Sequence, residues 1–471
     1  MEVTASFREF LDKFQSAFTA PTFRTFTSLM TGWLLSPSRR LVSNLIFFSG
    51  SQHEGSFSKY YRFFSQAKWE LDYVSKILAM LVVQVLAPSG LIILALDDTL
   101  CRKRGLTVYG AGMHYDPLIS SRAKVLKSWG HDWIVVTLIL KGPAWSPGIV
   151  WSLPLVFCLY RNWQGSRKGQ GQTAALDKLT KKQREKRKRE EAKQRAKDPT
   201  HKTRPELAIQ AISQLAQWFP QREFLVTADF AYSGNSMLSK LPSNVHLISQ
   251  VHPKGVLYEP APPPTGKGGR PRKRGARLSS GQEWANDPQL PWKTLKFNEY
   301  GLHATFQVKV RQNVLYYKSG GSRPLNVVLA RDIHGQRPDR MFYCTRLDWT
   351  ARQILSTYAG RWSIEVCFEN SKQCLGFEDP ANRVEQAVKR TAPWAMVLYS
   401  LCIVWFHQAG HDHVQTPDRP WYPHKCTPSF PDILATLRRD SYQETYSEVP
   451  RTSKRVRTCI TQLVEFLCLS G

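Results

Sequence analysis

The chain has 471 residues, 42% of them hydrophobic, which excludes a disordered polymer and allows about two to four domains with a sizeable buried core. A net charge of +28 and a pI near 9.8 call for a polyanionic partner, nucleic acid before an acidic membrane surface. Nine cysteines without a CxxC pair speak against a disulfide framework and for reduced thiols in a cytosolic protein.

Residues 1–87 read as helical. "FREFLDKFQSAF" carries a helical period, Ser36 and Ser38 stand as N-cap candidates for the helix in "RRLVSNLIFF", and "SKYYRFFSQAKWELDYVSKILAMLVVQVL" continues in kind. Basic and aromatic residues mix here, which suits a small DNA-binding domain or a plain helical bundle. The start "MEVTASFREF" has an early acid and no apolar h-region, so no secretory leader is expected. The apolar run Ile77 to Leu96 raises a membrane question, but Pro88, Ser89 and Gly90 split it into a helix-length and a strand-length piece. It reads as buried core, with no membrane span.

From about 88 to 250 the pattern changes to "LIILAL", "WIVVTLIL" and "IVWSLPLVFCLY", short branched runs that predict central strands. The helix "PELAIQAISQLAQWF" and the strands "EFLVTAD" and "VHLISQV" follow, and together they predict an α/β core. The stretch 166–204 is almost wholly charged, so it cannot bury a face; it is a solvated loop or a basic arm on a nucleic-acid backbone. Residues 251–350 hold a Pro/Gly/basic segment and then antiparallel strands, a β-rich insertion. Residues 351–410 return to helix, and 411–471 form a further helical region.

Two of the apolar strands end in carboxylates, Asp97 and Asp98 in "LIILALDDT" and Asp229 in "LVTADFAYS". A carboxylate at the end of a buried strand costs desolvation unless something compensates. A third acid lies in "YAGRWSIEVCFENSKQ", where Tyr358, Arg361, Glu365 and Lys372 fall near one face of a helix at steps of three, four and seven. On its own that stripe is a solvated face with i,i+4 ion pairs. With Asp97 or Asp98 and Asp229, it completes a hard-oxygen set suited to Mg²⁺ or Mn²⁺, two ions in number. Such ions support in-line phosphoryl displacement by a water or a 3′-hydroxyl.

Tyr358-x2-Arg361-x3-Glu365-x6-Lys372 resembles the Y-R-E-K signature of bacterial insertion-sequence transposases of the DDE class. "LDDT" and "TADFAYSG" resemble their first and second aspartate motifs, and "WSIEVCFENSKQCLGFEDPANR" and "GRPRKRG" are similar to the insertion-sequence-701 family within or beside the insertion-sequence-4 superfamily. The resemblance spans roughly residues 90 to 400. It implies an RNase H-like catalytic core with a β-rich insertion, flanked by helical N- and C-terminal regions. It further implies a metal triad of Asp97 or Asp98, Asp229 and Glu365, with Tyr358, Arg361 and Lys372 on DNA phosphates. The partners implied are double-stranded DNA (terminal inverted repeats and target), with the protein a homodimer in the bacterial cytoplasm, associated with the nucleoid.

D-x-T spacing with Thr99 favours Asp97 over Asp98, and neighbouring strand residues face opposite sides, so one alone can serve. Arg270, Arg272 and Lys273 in "GGRPRKRG" form either a minor-groove hook or a surface loop. Trp284 and Trp292 are candidates for stacking on a flipped base, though core or surface aromatics are the plainer reading. His114 and His131 are expected in ordinary polar contacts. His411, His413, His424 and Cys426 superficially suggest zinc, at a spacing that fits no common pattern. Two other functions share this scaffold: an RNase H-like nuclease that cuts without joining, and a catalytically silent DNA-binding protein.

Overall fold

The computed structural model describes the chain apart from residues 1, 122, 164–179, most positions from 181 to 199, 253, 264–271, 300–301, 336, 417–422, 448–453 and 470–471. Five helices lead: α1 (Ala5–Asp12), α2 (Ala20–Leu35), α3 (Val42–Phe48), α4 (Ser58–Ser65) and α5 (Leu71–Leu86). Aromatic residues in and between these helices converge on a much later helix. Phe14, Phe26 and Trp69 meet Trp394 at ring distances of 6.4, 5.1 and 5.9 Å. The first 87 residues therefore share one core with the C-terminal helices. Gly32 lets α2 approach α3: a Cβ there would stand 1.9 Å from the Leu45 carbonyl oxygen.

The expected N-caps at Ser36 and Ser38 are not used. The Ser36 N–H closes α2 on the Gly32 carbonyl, and α3 starts only after Leu41. The intervening turn is held instead by the buried Arg40, whose guanidinium donates to the carbonyls of Ser38 and Cys374 and whose N–H donates to Asp379.

The sheet begins with β1 (Ile92–Arg102), β2 (Gly112–Tyr115), β3 (Lys127–Lys141) and β4 (Val150–Tyr160). After α6 (Arg204–Trp218) come β5 (Phe224–Ala228) and β6 (Val245–Gln250). β1 and β4 run antiparallel to β3, while β5 is parallel to β1 and β6 parallel to β5. The spatial order β4-β3-β1-β5-β6 is that of an RNase H-like core, with β2 on the same outer edge of β3 as β4.

Residues 251–350 do not fold apart from this sheet. β7 (Lys293–Glu299), β8 (Leu302–Leu315), β9 (Pro324–Asp332) and β10 (Arg340–Cys344) form an antiparallel array whose last strand pairs with β6, making ten strands in one sheet among the described residues. The chain then turns helical through α7 (Ala351–Ala359), α8 (Ser363–Gln373), α9 (Glu385–Thr391), α10 (Pro393–Trp405), α11 (Phe430–Ser447) and α12 (Lys454–Leu469). α8 and α10 both pack on β4, through Ser363 against Ser152 and Ser400 against the Pro154 carbonyl. Among the described residues no helix is long and apolar enough to cross a membrane. The apolar run Ile77 to Leu96 is divided between α5 and β1.

Candidate active site

β1 outruns its parallel neighbour. The last β1–β5 pair is Leu96 with Ala228, so Asp97 and Asp229 occupy the next step on each strand. Parallel strands in register point such residues to the same face. Asp229 also caps the short turn Phe230–Tyr232 through the Ala231 N–H, at 2.8 Å.

The stretch expected as one helix is two. α7 ends at Ala359, a tight turn spans Gly360–Trp362, and α8 begins at Ser363. The polar stripe nonetheless faces the sheet. Tyr358 Oη accepts from Gln250 Nε2 at 2.7 Å, and its ring lies 4.7 Å from that of Phe342. Arg361 donates one guanidinium nitrogen to Asp97 and another to Glu365, the latter at 3.1 Å. Lys372 donates to the Leu100 carbonyl at 2.8 Å. Arg361 is thus the shared cation of a carboxylate group drawn from β1, the end of β5 and α8.

That crowding is expressed in the ionisation of the acids. Burial pushes the Asp97 carboxyl up to about 7, against the pull of Arg361 and with the help of the Asp229 and Asp98 charges. Burial also raises Asp229 and Glu365, and Arg361 again opposes. In this geometry, among the described residues, no three His, Cys, Asp or Glu side chains stand close enough to hold a metal ion. Arg361 supplies the positive charge between Asp97 and Glu365 instead.

Asp98 belongs to a different set of contacts. It accepts from Tyr232 Oη at 2.7 Å and lies 3.7 Å from Arg204, the first residue of α6. Arg204 also grips the buried Asp132 and stacks on Tyr160 at 4.3 Å. Burial and the Asp98 charge raise Asp132, with Arg204 opposing. The Tyr232–Asp98 bond ties the turn that Asp229 caps to the strand that carries Asp97. Sequence reasoning missed Tyr232, Asp132 and Arg204. Tyr232 lies inside the motif "TADFAYSG", three residues after Asp229, and a hydroxyl so close to a strand-end acid was the available signal.

The remaining candidates separate. Arg272 and Lys273 are exposed, and Arg270 lies outside the described residues, as does much of 166–204. Arg274, not singled out beforehand, stacks on Tyr258 and Tyr317 at 4.1 and 4.8 Å. Trp284 is fully buried under Arg311, and Trp292 is flanked by Lys309 and Arg331. Burial lowers both His114 and His131 to about 4, so both are neutral near pH 7. His413 pairs with Asp440.

Comparison with known families now has a geometry to meet. A family model described as DDE superfamily endonuclease matches residues 13–314. The chain belongs to this family. The match takes in the sheet's first seven strands, with Asp97 and Asp229, and ends within β8, before the turn and helix that bring Arg361 and Glu365. Membership in the DDE endonucleases makes DNA the substrate class and divalent-metal-dependent phosphodiester cleavage the chemistry. A search of curated proteins gives no match.

Proposed function

We propose that this DDE endonuclease is an insertion-sequence transposase, related to the insertion-sequence-701 family in the insertion-sequence-4 superfamily, which cuts transposon ends and joins them to target DNA. The observation that carries the proposal is the convergence of Asp97, Asp229 and Glu365 around Arg361 at the end of β5. A Y-R-E-K spacing within an RNase H-like core supports it. Asp97, Asp229 and Glu365 are the residues that would hold Mg²⁺ or Mn²⁺. Their hard oxygens suit those ions, and each acid is raised by burial, a cost a cation would relieve once Arg361, which bridges Asp97 and Glu365, turns away and lets the carboxylates close on it. Bound there, the ions would activate a water or a 3′-hydroxyl and stabilise the leaving oxygen.

The chain's own groups do the rest. Arg361 holds the carboxylates together before ions arrive and is placed to turn its fork toward a DNA phosphate afterwards. Tyr358 and Lys372 flank it on the same face. Asp98 serves as the anchor for Tyr232, which leaves Asp97 as the metal-binding member of the pair. The protein acts on inverted-repeat ends as a homodimer in the bacterial cytoplasm. Incubation with Mg²⁺ and the DNA flanking the gene, followed by mapping of products, tests this reading. Joined strands that disappear in Asp229→Asn are expected. Nicks without joining would reduce the protein to a nuclease, and binding without nicks would reject the catalytic assignment.

A further inference from the structure

Beyond the carboxylates, β1 continues to Arg102, and the chain then makes an excursion through β2 before returning on β3. At its tip, Asp116 and Ser120 tie the described residues 116–121 and 123–128 together. Asp116 is buried and accepts from Arg102 Nε and Nη2 at 2.8 and 2.9 Å, from Ser128 Oγ at 2.6 Å and from the Leu118 N–H at 3.1 Å. Ser120 closes the turn by donating to the Leu126 carbonyl and accepting from the Leu126 N–H. Here Leu118, Val125 and Ile119 stand 77%, 68% and 49% exposed.

The charge around them selects the occupant. Between Lys103 and Lys127 the only acid is Asp116, which is buried against Arg102, while Arg104 and Lys124 are exposed. The acids that meet the base of the excursion, Glu378 at the Arg102 N–H and Glu385 at Tyr109, are each paired with a lysine, so an apolar tip whose own exposed charges are cationic complements a polyanion that can also accept an apolar wedge. Duplex DNA does both: its phosphates take the cations, and a base step takes the aliphatic side chains. The position agrees. Arg102, whose guanidinium holds Asp116 and through it the Leu118 N–H, lies five strand residues beyond Asp97, about 17 Å, which puts the tip on the order of five base pairs away at ~3.4 Å each.

We propose that Leu118 and Ile119 form a DNA wedge, pressed into a base step about five base pairs from the cleaved phosphate. Arg104 and Lys124 grip the flanking phosphates. The inference rests on DNA as the substrate, but not on strand joining.

The test uses the full chain, Ca²⁺ to prevent cleavage, and duplexes whose cleaved phosphate has been mapped. 2-Aminopurine is placed singly at each position from two to eight base pairs away, about the window that strand geometry allows. Wild type should raise fluorescence at one or two adjacent positions. The Leu118→Ser/Ile119→Ser variant should lose that rise and bind roughly tenfold more weakly, and a mismatch at the same step should restore most of its affinity. Both residues are exposed, so circular dichroism should not change. A flat profile for wild type, or an unchanged rise in the variant, overturns the wedge. So does a variant that turns dimers into monomers in sedimentation with its fluorescence intact, which would mark a contact between copies. Unstacking in Ca²⁺ together with nicks but no joined products when Mg²⁺ replaces it would sink the transposase reading and leave the wedge standing.

Discussion

Replacing Asp97 by Asn isolates the cost of keeping a carboxylate beside Asp229 and Asp98 in a buried site. Asp97 is 17% exposed, and its folded pKa is about 7, against about 3.9 in an unfolded chain. The folded protein therefore holds a proton that the unfolded chain has already released. Unfolding free energy falls as pH rises from about 4 to about 7 and levels off above that. At about 1.36 kcal/mol per pH unit, the ceiling for this one group is about 4 kcal/mol. Asp132, Asp229 and Glu365 are raised as well and push in the same direction. The wild-type curve should thus slope downward, and the Asp97→Asn curve should be flatter without being flat. Urea unfolding in EDTA at half-unit steps from pH 4.5 to 8 measures both; the comparison is between slopes, so the altered pairing with Arg361 does not confuse it. Parallel curves for the two proteins would refute the claim that Asp97 is protonated in the metal-free fold.

Tyr232→Phe should slow single-turnover cleavage by on the order of 100-fold, because a reacting group displaced by about 1 Å loses that much. Asp98→Ala should match it. Asp98→Asn, which keeps an acceptor for the tyrosine hydroxyl, should stay within about threefold of wild type; equal loss in Asn and Ala would instead mean that the Asp98 charge itself is needed. Arg361→Lys should slow end cleavage by a similar ~100-fold with little change in Mn²⁺ affinity, since an ammonium cannot make the guanidinium's two-pronged contact; wild-type rates at saturating Mg²⁺ would remove Arg361 from the site. Gly32→Ala gains helix propensity yet forces α2 away from the Leu45 backbone, so thermal melting should show a net loss of about 1–3 kcal/mol. An unchanged melting temperature would mean that the two helices slide apart freely.

Much of this was readable in advance because it is local. Apolar strands ending in Asp97 and Asp229, the amphipathic α6 and the helical intervals after 350 all announce themselves within ten or fifteen residues. What was not readable depends on partners far away in sequence. The choice between Asp97 and Asp98 is a matter of which face meets Arg361 and which meets Tyr232, contacts made across 264 and 134 residues. The union of the insertion with the core rests on β10 pairing with β6, and no strand period states its neighbour. Ser36 and Ser38 had the composition of caps, but the buried Arg40 decided the turn they lie in. Asp132 stands within β3 in no recognisable motif, and Arg204, arriving from α6, makes it part of a network.

The pairing of β10 with β6 also limits how this molecule can move. Domains joined by a linker can swivel, and closure around a ligand is then cheap. Here the array β7 to β10 is joined to the catalytic strands by a ladder that matches Phe342, Tyr343 and Cys344 with Gln250, Ser249 and Ile248. Rotation across such a joint would break backbone hydrogen bonds in the middle of a sheet. The compliant partner must therefore be the nucleic acid. A duplex that touches both the carboxylates and the β-rich array has to bend to fit a stiff frame, and sequences that bend readily would be favoured even at positions no side chain reads.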